Sequence, residues 1–323
     1  MVLSVFKIGM FSNFVISFNT VFPLVVLLCL GAFLRKKGMC DEITQKQGNN
    51  IVFKALLPCL IFKNVFYTDF DTDFEPKLVI FSVGIVFVQY LLATCLALAI
   101  EKKPKTRGAI IHTVFRTNSL IFGMAILINM YGSDVLGSAS ISLAVIIPIV
   151  NVLAVYTLEK YRGGKVTTKN VLKGIAKNPI IVATVVALAF RIVGISEFPE
   201  FVDLSISSIA ALTTPMALLF LGASVELSKI KQNSRNLVIG VSTRLVFLPA
   251  IIVSVAVLLG FRDINLATIL TICGGPTAVT SYTMSVSMDS DSDLTGEMVT
   301  FTTILSCLTL FGWIFALKQL GFL

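Results

Sequence analysis

The sequence predicts an all-α integral membrane protein with ten transmembrane helices, arranged as two five-helix repeats of opposite orientation. Three observations carry this expectation: few charges in an apolar chain, ten apolar runs bounded by charge clusters, and matched landmarks at a constant offset between the halves. Of 323 residues, 56% are of apolar type and 14% are charged, and the mean hydropathy is positive. Soluble domains carry about 25% charged residues, so this chain cannot clothe a surface that faces water. A spanning helix takes about 20 mostly apolar residues; ten of them consume most of the chain and leave short connections. That excludes a large soluble domain, a lone anchor and an outer-membrane barrel, whose strands alternate polar and apolar residues.

In chain order the runs cover about 14–34, 47–66, 77–100, 108–130, 136–158, 172–194, 204–225, 236–260, 264–287 and 297–320. The first, third, fifth, sixth, eighth and tenth are long and clear. Lys54 and Pro58 interrupt the second, and the fourth and ninth carry polar or breaker residues at their centres. Ahead of the first run stand one cation, Lys7, and no small-residue cleavage site, which marks an approach to a span and not a removed leader. Seventeen of the 26 Lys and Arg residues fall in the loops after spans 1, 3, 5 and 7, against six on the other side; Lys54, Arg116 and Arg244 lie within spans. The positive-inside rule then puts the chain in the cell membrane with both termini extracytoplasmic. The net charge of +8 thus serves orientation and is no nucleic-acid footprint. Six cysteines, mostly inside apolar runs and without CxxC spacing, read as small buried hydrophobes.

The halves, 1–160 and 161–323, repeat one another. Pro23 precedes Arg35 by twelve residues, as Pro179 precedes Arg191. Pro58 and Pro215 follow those prolines by 35 and 36 residues, and Asn118 and Pro276 follow in turn by 60 and 61. The offset therefore stays at 156–158 across four spans. Five spans per repeat is an odd number, so the second copy enters the bilayer upside down. Such repeats are a mark of secondary transporters, whose sites lie at mid-membrane where interrupted helices meet.

The interruptions lie in spans 4 and 9. Span 4 has the polar knot Arg116-Thr117-Asn118-Ser119, and span 9 has Gly274-Gly275-Pro276-Thr277. Proline removes a backbone donor and clashes with the preceding turn, and glycine loosens the helix before it. Both spans should break at mid-membrane, where unwound backbone is tolerated only inside protein or along a wet cavity. The freed half-helix N-termini present N–H groups and partial positive charge to an anionic ligand. Arg116 is either a fork for a carboxylate or a cation that pairs with backbone carbonyls or snorkels to the cytoplasmic surface. Asn118, which both donates and accepts, is the stronger candidate for lining the site.

Taken in order, Asn19/Pro23/Gly31, Leu57-Pro58, Asn118 with Gly123 and Tyr131-Gly132, Asn151, Lys177-Asn178-Pro179, Pro215 with Leu221-Gly222-Ala223-Ser224, and Gly275-Pro276-Thr277 resemble the auxin efflux carrier family, which includes bacterial dicarboxylate permeases and plant carriers. The resemblance spans nearly the whole chain. It implies crossing, broken helices 4 and 9, a scaffold of spans 1, 2, 6 and 7, and a moving transport bundle of spans 3–5 and 8–10. It also implies organic-anion substrates, and the expected partner besides the substrate and the bilayer is a second copy of the chain, joined as a homodimer through the scaffold. Two features depart from the plant pattern: Thr117 stands where those carriers have proline, and the central loop is short.

Other signals carry less. Asp289-x-Asp291-x-Asp293 and Asp69-x-Asp71-x-Asp73 fail the calcium-loop template and read as solvated acidic loops. Gly163-Gly164-Lys165 lacks the phosphate-loop spacing. His112 is the sole histidine, so metal clusters and His-dependent triads are not expected; it reads as a packed side chain or a proton relay. No nucleophile–base pair marks an enzyme, and no cofactor is expected. Glu226 is the nearest approach to an intramembrane carboxylate. Sodium coupling through oxygens around Thr277, Thr280 and Ser281, proton coupling and uniport all stay open.

The expected function is transport of a small organic anion, a mono- or dicarboxylate, by elevator-type alternating access. The expected site is Arg116, Thr117, Asn118, Ser119, Gly275, Pro276 and Thr277, with Pro58 and Pro215 as scaffold hinges. Two rivals stand beside it: a sodium-coupled symporter of bile-acid type, and a receptor that binds an anion without moving it.

Overall fold

The apolar runs that fall on described residues are helical except where spans 4, 6 and 9 are divided. The computed structural model describes residues 22–23, 25–67, 75–131, 136–162, 168–224 and 230–323. Its helices are α1 (25–36), α2 (Glu42–Phe66), α3 (Pro76–Ile100), α4 (Pro104–Phe115), α5 (Met124–Tyr131), α6 (Leu136–Tyr161), α7 (Thr168–Lys177), α8 (Pro179–Ile192), α9 (Glu200–Ser224), α10 (230–258), α11 (Asp263–Gly274), α12 (Thr280–Ser287) and α13 (Ser292–Gln319). Asn19, Gly132, the Asp69–Asp73 run, Gly163-Gly164-Lys165, Glu226 and Lys229 lie outside the described residues.

Six of these helices, α2, α3, α6, α9, α10 and α13, are long and apolar enough to cross a membrane. The other four expected spans have identifiable reasons for falling short. Spans 4 and 9 are each divided at mid-course, and span 6 is divided into α7 and α8. Span 1 begins among residues outside the described set. At the division in span 6, the side chain of Asn178 accepts a hydrogen bond from Ile180 N at 3.0 Å, and Pro179 occupies the first helical position. Capping asparagine followed by proline is a helix-start signal, since proline has no donor to leave unpaired there. Asn178→Ala is expected to lower stability by about 1 kcal/mol, read as a small drop in thermal midpoint with no change in fold.

Lys54 and Pro58 do not break α2, contrary to the weakness they give span 2 in the sequence. A π-helical turn, Val52–Leu56, directly precedes Leu57-Pro58, and Lys54 stands exposed on it. The same grammar recurs in α10, where the π turn Thr243–Phe247 precedes Leu248-Pro249. Widening the turn before a proline relieves its clash with the preceding carbonyls, so the helix continues. Pro215, by contrast, sits inside a helix assigned without interruption.

Packing divides the helices into two groups. In one, α2 lies against α8 and α9, with Phe62, Phe66, Phe190 and Phe198 stacked, tilted or edge-on at centroid distances of 4.7–6.2 Å. In this group α1 crosses α9 at backbone contact. A Cβ on Gly31 would stand 2.0 Å from the Leu219 carbonyl oxygen, and one on Gly222 would stand 2.0 Å from that of Leu28. In the other group α3, α4 and α6 pack together, and α10 to α13 pack on one another and on α4. Exposed Ile80, Phe87, Leu91 and Leu98 form a stripe along α3, as a lipid-facing helix requires.

Ion pairs and caps tie the loops of this second group together at one end. Lys105 pairs with Asp289 at 2.7 Å, and Thr106 donates to Asp291, which also caps α13 through Leu294 N. The acidic loop after span 9, which has no cation of its own, thus receives one from the loop after span 3. Burial acts to raise the pKa of Glu101, but bonds from Lys103 N, Asn236 Nδ2 and Lys102 N outweigh it and hold the carboxylate below its usual value.

Candidate functional site

The polar knot and the glycine–proline pair meet. α4 ends at Phe115 and α11 ends at Gly274; the extended residues that follow run antiparallel, with a bridge between Thr117 and Thr277. Asn118 N donates to Pro276 O at 2.8 Å, and Ala278 N donates to Arg116 O at 3.2 Å. Chains leaving the crossing re-enter helix as the π turn Ser119–Gly123 leading to α5, and as α12. Backbone groups freed by each break therefore bond to the other break. Neither interruption satisfies itself; each needs its partner.

Side chains complete the exchange. Thr277 Oγ1 donates to Thr113 O at 2.8 Å, and Thr277 N donates to Thr302 Oγ1. Thr117 Oγ1 donates to Ile272 O at 2.7 Å and accepts from Arg244. This gives the departure from proline at position 117 a role, because proline has no hydroxyl with which to join α11 to α10. Gly275 is required by close approach: a Cβ there would stand 2.9 Å from Thr117 Cγ2.

A partly open cavity lies on one side of the crossing. Arg116, Thr117, Asn118 and Ser119 form its polar floor. Its walls are Leu57, Leu60 and Ile61 of α2, Val86 of α3, and Leu143, Ile146, Ile147 and Val150 of α6. Gly275, Pro276 and Thr277 do not border it; they stand behind the floor and hold it in place. Four further polar residues line the cavity beyond those expected to bind: Asn64, Gln89, Asn151 and Thr280. Away from the cavity, α12 meets the N-terminal half of α2, where Thr283 Oγ1 donates to Asn49 Oδ1 at 3.3 Å.

Two arginines are buried here, and their surroundings differ. Arg116 is 4% exposed; its Nη2 donates to Asn151 Oδ1 at 3.0 Å and to Thr280 Oγ1 at 3.2 Å, while Nη1 faces His112 and Met284. These partners are neutral, and among the described residues no carboxylate lies within ion-pair distance of it. It does not snorkel. Asn151, 1% exposed, holds Arg116 by its oxygen while its Nδ2 has no partner among the described residues. Arg244 is fully buried and bonds to backbone carbonyls. Sequence reasoning noted Arg244 within a span but gave it no role, although an ionisable residue at that depth is itself a signal. Gln89, alone among apolar neighbours in span 3, was a similar clue; it is 1% exposed and reaches Cys273 O.

Comparison with known proteins places the chain among membrane transporters. Residues 16–314 match the family model described as membrane transport protein. The chain is 25% identical over 311 residues to an uncharacterized transporter of Methanocaldococcus jannaschii, covering 93% of this chain and 99% of that one. It is 23% identical over 304 residues to an uncharacterized transporter of Methanothermobacter thermautotrophicus, covering 92% and 97%.

Proposed function

The chain belongs to the membrane transport protein family, the auxin efflux carrier family that its motifs resemble, and on that premise we propose that it is a secondary transporter for a small organic anion, a mono- or dicarboxylate. It is a multi-pass membrane transporter and not an enzyme. One observation carries the anion reading: the cavity floor holds the guanidinium of Arg116, desolvated and without an acidic partner among the described residues. A cation inside a membrane costs about 3 kcal/mol on insertion scales, and a carboxylate in the cavity offsets that cost through two parallel hydrogen bonds. The N-termini following both breaks, at Ser119 and Thr280, border the cavity and add partial positive charge to it. Unpartnered Asn151 Nδ2 supplies a further donor.

The proposed mechanism is elevator-type alternating access within ten spans related as inverted repeats. α3–α6 with α10–α13 would form the moving bundle, and α1, α2 and α7–α9 the scaffold, joined to a second copy in a homodimer. The cavity lies against the C-terminal half of α2, while α12 bonds to its N-terminal half through Thr283 and Asn49. Alternating access exchanges these two conditions. Purified protein in liposomes is expected to accumulate a labelled carboxylate, and Asn118→Ala to abolish uptake without unfolding. Full uptake by that variant would remove Asn118 from the site. Binding that stabilises the protein while no label crosses would favour a receptor.

A further inference from the structure

Two half-helices end at the crossing, α4 at Phe115 and α11 at Gly274. Each helix C-terminus carries about half a negative charge, so together they present roughly one unit to an apolar interior. Carbonyl ends of broken helices are where sodium-coupled transporters hold their ion. Here a side chain takes that place. From the π turn of α10, Arg244 Nε donates to Gly275 O at 3.0 Å, Nη1 donates to Val114 O at 3.1 Å, and Nη2 donates to Thr117 Oγ1. The guanidinium thus touches the end of α4, the end of α11 and the strand between the breaks at once. It is 0% exposed, and among the described residues no carboxylate lies within ion-pair distance.

We infer that Arg244 is a fixed internal cation that balances the two carbonyl ends in place of a mobile one, so that the crossing is held together without sodium bound there. The charges match: one guanidinium against two half-charges. The geometry matches as well, since a planar fork reaches three acceptors that a single compact ion would have to draw inward. Arg244 is a positioning residue in this account; it lies behind the cavity floor and acts through Thr117 and Gly275. The inference rests on the transporter reading but not on the substrate being an anion.

Thermal unfolding of the full-length protein in detergent tests it without a substrate. At equal ionic strength, the midpoint of the parent is expected to be the same in sodium, potassium and choline chloride. Arg244→Lys, which keeps the charge, should stay within a few degrees of the parent, whereas Arg244→Gln should fall by about 5 °C or more. Arg244→Ala leaves a space shaped for the lost group, and millimolar guanidinium should raise its midpoint while leaving the parent unmoved. A saturable rise of the parent with sodium alone would overturn the inference, as would Arg244→Gln matching the parent. Should Arg244→Ala fail to fold, the sodium titration of the parent and the Lys–Gln contrast decide. Because these readouts are stabilities, failure of carboxylate uptake leaves this inference standing, and the reverse holds too.

Discussion

Arg116→Met is expected to abolish carboxylate uptake while leaving the protein about as stable as the parent, or more stable. Removing the charge that faces the cavity should cost the bound anion about 2–5 kcal/mol, a loss of at least about 30-fold in affinity. The fold should not suffer in step, because Arg116 bonds to neutral groups and carries its desolvation cost without an acidic partner among the described residues. Methionine removes that cost, and the loss of bonds to Asn151 and Thr280 offsets it to within about 1 kcal/mol. Arg244 should behave in the opposite sense, since its removal strands the carbonyls of Val114 and Gly275. Uptake by Arg116→Met at the parental rate would refute the anion reading. A large fall in its unfolding midpoint would show that Arg116 is structural.

Gly222→Leu is expected to prevent the native fold, with an effect above about 4 kcal/mol, at the far end of single substitutions. At the crossing of α1 and α9 the obstacle on each side is backbone carbonyl, not a side chain that can turn aside. Close helix approach in membranes depends on such small residues, and Gly31→Val should act alike. The control is Gly84→Ala in α3, where an added Cβ meets nothing within 4 Å. There alanine should be neutral or stabilising by up to about 1 kcal/mol, from helix propensity. Size-exclusion profiles of detergent extracts separate these outcomes: a single peak for Gly84→Ala, and aggregate for Gly222→Leu.

Both arginines were visible in the sequence as cations at membrane depth, yet their roles were not. Arg116 was separable as a site candidate because it adjoins Thr117, Asn118 and Ser119 in the chain. Arg244 gave no such sign, since its acceptors at 114, 117 and 275 come from two other spans. Similarly, Pro276 announced a break, but the bond from Asn118 N to Pro276 O joins residues 158 positions apart. Asn64 reaches the cavity by tertiary packing, and nothing local distinguishes it from other amides, whereas Gln89 and Asn151 left signs in the sequence without showing where they point.

The amino-acid sequence by itself determined the solvent this protein needs and two of the places where its helices fail, in spans 4 and 9, but not the division of span 6 at Asn178-Pro179. Those are consequences of composition and of backbone chemistry within a turn or two. The tertiary structure decided how the failures are repaired: which carbonyls meet which guanidinium, why Gly275, Pro276 and Thr277 support the cavity without lining it, and why α2 survives its proline. Hydrogen bonds and charges at a helix break are satisfied by whatever packs against them, and in this chain those partners are set by the fold and not by proximity along it.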